Sequence, residues 1–193
     1  MEKQVGKIIV VSGPSGAGKG TLIQAALRQC PEIHLAISAT TRAPREGELE
    51  SGAYYFLSED DFKAHIQDNA FIEYCLVHGN YYGTLKKEVF DRVNVGTSVL
   101  LEIDIQGARK VRAALPDISG IFITPPSLAI LKQRLIGRNT DNTSAIDIRM
   151  KQASTEMAEA AHYDFVLVNE RVDSASDELY RLISQISCLD QVN

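Results

Sequence analysis

The chain has 193 residues, of which 45% are apolar. That suits one α/β domain with a buried core, and it is short for two full domains. Twenty Lys and Arg against 25 Asp and Glu leave a formal net charge of −5, which argues against a surface that coats nucleic acid. No apolar run reaches membrane-spanning length, and the first residues lack a signal-peptide layout. Cys30, Cys75 and Cys188 show neither zinc spacing nor a disulfide framework. The expectation is a soluble cytoplasmic protein with no membrane partner.

In chain order, Lys7 to Ser12 is a β-branched run that predicts a strand buried on both faces, as in a parallel sheet. It runs directly into a glycine-rich turn, and a helical pattern follows from Thr21 to about Gln29. Residues 35 to about 88 break the alternation of strands and helices. Ala36-Ile37-Ser38, Tyr54 to Leu57, a helix over 59–69, and Phe71 to Val77 predict an inserted, partly antiparallel subdomain. Further buried runs at Val99–Ile105, Ile121–Ile123 and Phe165–Val168, separated by amphipathic helices, complete the pattern of a parallel sheet covered on both faces. Ser58, Ser144 and Ser174, each followed three residues later by Asp61, Asp147 or Asp177, read as helix N-caps with a supporting negative charge. Ile146, Met150, Ala153 and Met157 form a helical stripe that predicts core packing, and 139–143 reads as a polar loop. His34, His65, His78 and His162 have no metal-ligand spacing.

Gly13-Pro14-Ser15-Gly16-Ala17-Gly18-Lys19 fits G-x-x-x-x-G-K between a strand and a helix. Glycines there let successive backbone N–H groups converge on phosphate oxygens, and the helix presents its free amides and dipole to the same anion. Lys19 supplies a cation for the β- and γ-phosphates. Gly20 stands where the usual motif has a Ser or Thr hydroxyl for Mg²⁺, and Thr21 comes one residue later as a phosphate contact. Mg²⁺ tolerates this because it keeps several waters and binds phosphate oxygens directly, so no metal site of direct side-chain ligands is predicted.

Four more clusters accompany this loop: Ser38-Ala39-Thr40-Thr41-Arg42-Ala43-Pro44-Arg45-Glu46-Gly47-Glu48, Phe71-Ile72-Glu73-Tyr74, Gly79-Asn80-Tyr81-Tyr82-Gly83-Thr84, and Glu102-Ile103-Asp104-Ile105-Gln106-Gly107. Together they resemble the guanylate kinase family almost from end to end. The resemblance implies a P-loop core with a parallel five-stranded sheet, at about 1–34, 89–135 and 151–193. It also implies an inserted mixed-sheet GMP-binding subdomain at about 35–88 and a small lid at about 136–150. It implies the reaction ATP + GMP → ADP + GDP with Mg²⁺, and dGMP as a further acceptor. Protein partners, a homo-oligomer included, stay open.

Carried over by position, Arg42, Arg45, Tyr54 and Tyr82 would hold the GMP phosphate, and Ser38, Glu73 and Thr84 would read the guanine. Lys19, Arg42, Arg134, Arg138 and Arg149 would act on the transferring phosphoryl group, and Asn169 would lie near the adenine of ATP. Glu102 and Asp104 would organise Mg²⁺ or substrate, with Glu102 standing where an aspartate is expected.

The side-chain chemistry supports these roles. The guanidinium fork matches phosphate oxygens in pairs. In a strand, Phe71, Glu73, Cys75 and Val77 share one face, and a carboxylate amid apolar neighbours needs partners. The N1–H and 2-amino group of guanine match two carboxylate oxygens, whereas adenine has an acceptor at N1 and no 2-amino group. A water-exposed face, or an arginine partner within the fold, stays open as the alternative for Glu73. Strand alternation sends only one of Tyr54 and Tyr55, and one of Tyr81 and Tyr82, towards a ligand. The competing functions are a related P-loop kinase with another acceptor and a non-catalytic protein-binding module. Ser38, Glu73 and Thr84 argue against the first, and Lys19, Arg42 and Arg45 against the second.

Overall fold

The computed structural model describes residues 5–45, 47–48, 52, 54–77, 79–137 and 143–187. The first strand, β1 (Ile8–Ser12), alternates its side chains between two cores. Ile9 and Val11 pack with Leu22, Ile23 and Ala26 of α1 (Lys19–Leu27) and with Leu179 and Ile183 of α7 (Val172–Ile186). Val10 packs on the opposite side with Val89 and Val93 of α3 (Lys86–Val93) and Ala108 and Val111 of α4 (Ile105–Ala114). Helices therefore cover both faces of the sheet, as β-branched strands without polar alternation require.

That sheet has the order β2-β7-β1-β8-β9 and every pairing in it is parallel. Its other strands are β2 (His34–Leu35), β7 (Val99–Glu102), β8 (Ser119–Thr124) and β9 (Phe165–Val168). β1 lies between β7 and β8, so the loops after β1 and β7 open side by side at the carboxyl ends of the strands, where ligands bind in open α/β sheets. The second sheet has the order β4-β3-β6-β5: β3 (Ser38–Thr40) and β4 (Tyr54–Phe56) are parallel, and β6 (Asn80–Leu85) is antiparallel to β3 and to β5 (Phe71–Val77). Ala39, Phe62 of α2 (Glu59–Gln67) and Phe71 form its own small core. The stripe of α6 (Thr143–Ala158) packs Met150 and Ala153 on Leu131 and Leu135 of α5 (Leu128–Gly137).

Several elements depart from the sequence reading for physical reasons. The run at Ala36-Ile37-Ser38 is not one strand, because the chain passes there from the first sheet to the second between β2 and β3. The Val99 run ends at Glu102 because Asp104 accepts the Gly107 N–H at 2.7 Å and caps α4, so Ile105 is helical. Helix α2 stops at Gln67, two residues early, with Asn69 at φ 51° in the left-handed region. Ser58 is an N-cap and accepts from Asp61 N–H. Ser144 and Ser174 lie inside α6 and α7 instead, and α7 begins earlier, at Val172, with Arg171 at the N-cap position and Asp173 in its first turn. β9 is an edge strand, so Val166 and Val168 are exposed and only Phe165 and Leu167 face the core.

The sheets are joined by a buried acid that the sequence reading did not single out. Glu88 of α3 is 6% exposed. Its Oε1 lies 2.6 Å from His34 Nε2 of β2 and accepts the Ile37 N–H at 3.2 Å. Its Oε2 accepts from Tyr55 Oη of β4 at 3.0 Å and from Arg92 Nη1 at 3.1 Å. Against the penalty of burial, the bonds from His34, Ile37 and Tyr55 hold this carboxyl below its ordinary range. Glu88→Ala removes the acceptor of His34, the Ile37 N–H and Tyr55 Oη, while Arg92 Nη1 keeps its bond to the Glu88 carbonyl, and the change is expected to cost at least about 2 kcal/mol, measured by urea unfolding, with Glu88→Gln milder. Equal stability of Glu88→Ala and the parent chain would show that the cluster does not hold the sheets together.

Candidate active site

The turn after β1 is built from backbone that only glycine adopts readily. Gly13, Gly16 and Gly18 have φ of 148°, 91° and 91°. A Cβ at Gly13 would lie 2.0 Å from the Ile123 carbonyl oxygen of β8. The turn thus curls against its neighbouring strand and delivers the N-terminus of α1 to the carboxyl end of the sheet. Lys19 Nζ donates to the Gly13 carbonyl at 2.8 Å and the Pro14 carbonyl at 3.3 Å, bending its cation back over the loop. From β9's end, Asn169 donates its side-chain amide to the Ala17 carbonyl at 2.7 Å, and its backbone carbonyl accepts from Arg134 Nη2 at 2.8 Å.

Two cavities meet at this lysine. One, of about 290 Å³, is lined by Ser38, Tyr54, Glu73, Cys75, Tyr82 and Gly83 of the second sheet and by Lys19 of α1, Glu102 of β7 and Asp104, the N-cap of α4. The other, of about 780 Å³, runs from Gly13, Ser15 and Lys19 to Arg149 and Glu156 of α6 and shares Asp104.

Glu73 is 4% exposed at the wall of the smaller cavity. Thr84, on the paired strand, donates Oγ1–H to Glu73 Oε1 at 2.9 Å. Burial, with the Asp104 charge adding to it, pushes the Glu73 carboxyl up to about 7 despite the Thr84 bond. Cys75 Sγ sits 3.6 and 3.7 Å from the Asp104 oxygens, and burial beside that carboxylate pushes the thiol up to about 12. Glu102 is also raised by burial, an effect Lys19 opposes. A Cβ at Gly20 would lie 3.6 and 3.7 Å from the two Glu102 oxygens, so the longer acid reaches over the position that lacks a hydroxyl.

Arg42 follows β3 and lies beside the cavity-lining Tyr54. Arg42 lies over Tyr54 at 5.5 Å and Phe56 at 5.9 Å, and its Nη2 donates to Glu48 Oε1 at 3.0 Å. Glu48 Oε2 accepts the Arg45 N–H at 2.7 Å, and that bond holds its carboxyl below the ordinary range. A carboxylate thus bridges the Arg42 guanidinium and the Arg45 amide in the way a bound anion would.

The guanylate kinase family model matches residues 5–186. The chain belongs to the guanylate kinase family. It is 44% identical to a guanylate kinase of Clostridium acetobutylicum over 183 residues, covering 95% of this chain and 87% of that protein. It is 43% identical to a guanylate kinase of Synechocystis over 180 residues, covering 93% and 94%. The crystal structure of guanylate kinase from Anaplasma phagocytophilum superposes with a TM-score of 0.75 at 33% identity, covering 96% of this chain and 88% of that one.

With the guanylate kinase residues placed, the expected sets divide. Lys19, Ser38, Tyr54, Glu73, Tyr82, Glu102, Asp104 and Arg149 line the cavities, and Thr84 holds Glu73 from behind. Tyr55 and Tyr81 point elsewhere, Tyr55 to Glu88 and Tyr81 into the core over Phe62, as alternation requires. Arg45 is exposed, Arg134 is tied to Asn169, and Arg138 lies outside the described residues, as do Cys188 and His78. One correction concerns Phe71. β5 advances two residues against one of β6 between Phe71 and Glu73, a bulge that reverses alternation. Phe71 therefore stacks on Phe62 under α2, whereas Glu73, Cys75 and Val77 face the cavity. Sequence reasoning passed over Glu156, although its spacing of two helical turns from Arg149 puts both on one face of α6.

A raised folded-state value makes the ionised Glu73 costly to fold. The stability it contributes when protonated, below about pH 4.5, is lost as pH rises through about 7. The unfolding free energy of the parent chain relative to Glu73→Gln is therefore expected to fall by about 3 kcal/mol across that window. A difference that stays flat between pH 4.5 and 7.5 would contradict this.

Proposed function

We propose that the chain transfers the γ-phosphoryl group of ATP to GMP, giving ADP and GDP. The observation that carries this reading is the meeting of two cavities at Lys19 and Asp104, one leading to a buried carboxylate and the other to a phosphate loop. A base held at Glu73 would extend its phosphate towards the loop where a triphosphate is bound.

In this reading the segment at about 35–88 holds GMP and the segment at about 136–150 is the lid. Glu73, oriented by Thr84 and joined by Ser38, accepts from the N1–H and 2-amino group of guanine. Arg42, Arg45, Tyr54 and Tyr82 hold the acceptor phosphate, which takes the place of the Glu48 carboxylate on Arg42. The backbone of Gly13 to Thr21 cradles the donor phosphates, and Asn169 keeps that cradle in shape from beneath the adenine end. Lys19 and Arg149, with Arg134 and Arg138 from α5 and the segment after it, neutralise charge on the phosphoryl group in flight. The attacking phosphate oxygen is already anionic, so no general base is needed. dGMP serves as an acceptor too, since none of these contacts uses the 2′-hydroxyl. We place the activity in the cytoplasm, with the ATP and GMP pools.

Among the described residues no three His, Cys, Asp or Glu side chains converge into a metal cage. The residues present still fit Mg²⁺ carried in on ATP, because it needs only one or two carboxylates beside phosphate oxygens, and Glu102 over Gly20 offers one. Mg²⁺ bound there would screen the β- and γ-oxygens during transfer.

Release of ADP, followed with ATP against GMP, dGMP, AMP, UMP and CMP, is expected only with the two guanine nucleotides. Lys19→Ala should lower turnover by at least a hundredfold in a folded protein, and turnover within a few fold of the parent would remove its role. Guanine donates both hydrogens, so Glu73 must be ionised to accept them. The KM for GMP should therefore fall as pH rises through about 7. Glu73→Gln should raise that KM about tenfold or more and abolish its pH dependence, with the KM for ATP unchanged. A KM for GMP indifferent to both changes would show Glu73 to be structural.

A further inference from the structure

Gly107 stands in the first turn of α4 without the left-handed backbone that would explain a glycine. Glycine within a helix is a handicap against alanine, so its presence calls for a steric reason. The reason lies across the cavity wall. A Cβ at Gly107 would sit 2.7 Å from Glu73 Oε2, 3.2 Å from Glu73 Cδ and 3.1 Å from Asp104 Oδ1. Those atoms are the ends of side chains rather than backbone, so a methyl group there leaves α4 intact and displaces the carboxylates. Glu73 is thus gripped at both oxygens: Oε1 by the Thr84 hydroxyl at 2.9 Å, and Oε2 against the bare Cα of Gly107. The Gly107 N–H, donated to Asp104 at 2.7 Å, pins that peptide in place.

We propose that Gly107 is a specificity-determining positioning residue, whose missing side chain seats the Glu73 carboxylate in the orientation that reads guanine. The inference rests on the reading of Glu73 given above. Gly107 itself touches no substrate and acts through where it lets Glu73 stand. With a methyl group in place, Oε2 must retreat by about 0.7 Å, from 2.7 to the 3.4 Å at which ordinary contact begins. A displacement of that size spoils paired hydrogen bonds to a planar base edge.

The test is Gly107→Ala, with Gly107→Ser as a larger step, each made in the parent and in Glu73→Ala. Gly107→Ala is expected to raise the KM for GMP about 10- to 100-fold and to reduce the preference for GMP over AMP. The KM for ATP should stay within twofold, and Tm should be unchanged or higher, since alanine favours the helix. In the Glu73→Ala background the same substitution should add at most a few fold, because the carboxylate it crowds hardest, at 2.7 Å, is gone and only the Asp104 oxygen at 3.1 Å remains. A KM for GMP that Gly107→Ala leaves unchanged, while Glu73→Ala raises it, overturns the seat and spares the reading of Glu73. An equal effect of Gly107→Ala in both backgrounds also overturns the seat, assigning the effect to Asp104 or to the helix itself. If Glu73→Ala leaves the KM for GMP unchanged, the reading of Glu73 falls and the inference falls with it.

Discussion

The left-handed turn between β1 and α1 is the constraint around which the rest of the molecule is arranged. A strand buried on both faces must end somewhere, and here it ends against the Ile123 carbonyl, with no room for a side chain at Gly13. Only a chain that curls tightly there brings the free amides of α1 to the carboxyl edge of the sheet. The neighbours of β1 then decide what faces those amides. β7 on one side ends in Glu102 and leads to Asp104, and β8 on the other leads into α5 with Arg134. The net negative chain charge coexists with a phosphate-binding cleft because Lys19 and Arg149 face the cavities, while the acids nearby are raised by burial or spent on caps.

Carboxylates do much of the joining. Glu88 ties β2 of the first sheet to β4 of the second, Asp104 caps a core helix while meeting Cys75 of β5, and Glu73 leans from β5 on that same helix. Each is an acid on or beside one layer with its partners in another. Such contacts are directional, so they set how the layers stand relative to each other more sharply than apolar packing does. The small core of Ala39, Phe62 and Phe71 lies on the far face of the second sheet and leaves the near face free for polar work.

What was legible in the sequence follows physical locality. The glycine and lysine spacing of the phosphate loop, the β-branched strands and the alternation of Tyr54 with Tyr55 are local patterns, and they fold as the pattern predicts. Glu73 stood out because a lone acid among apolar neighbours demands an account. The bulge that turns Phe71 away from Glu73 was invisible, since nothing in a seven-residue strand announces an extra residue until its partner is known. Glu88 looks like any solvated acid on an amphipathic helix, and its burial is decided by two segments more than 30 residues distant. Ser174 fits the capping pattern as well as Ser58 does, yet the chain turns helical earlier beside Asp173. Asp104 shows the reverse case, in which a local cap overrides a β-branched run. Gly107 carried the weakest signal, because a glycine in a helix is read as tolerance when here it is clearance.

The bond from Asn169 to the Ala17 carbonyl spans 152 residues. The loop that looks most local in the sequence is therefore completed by β9, the last strand of the sheet. During synthesis the glycine turn leaves the ribosome early and waits, with α1 lacking its α7 cover and Ala17 lacking its donor, until the final strand and helix arrive. The phosphate cradle is thus complete only once β9 has joined the sheet.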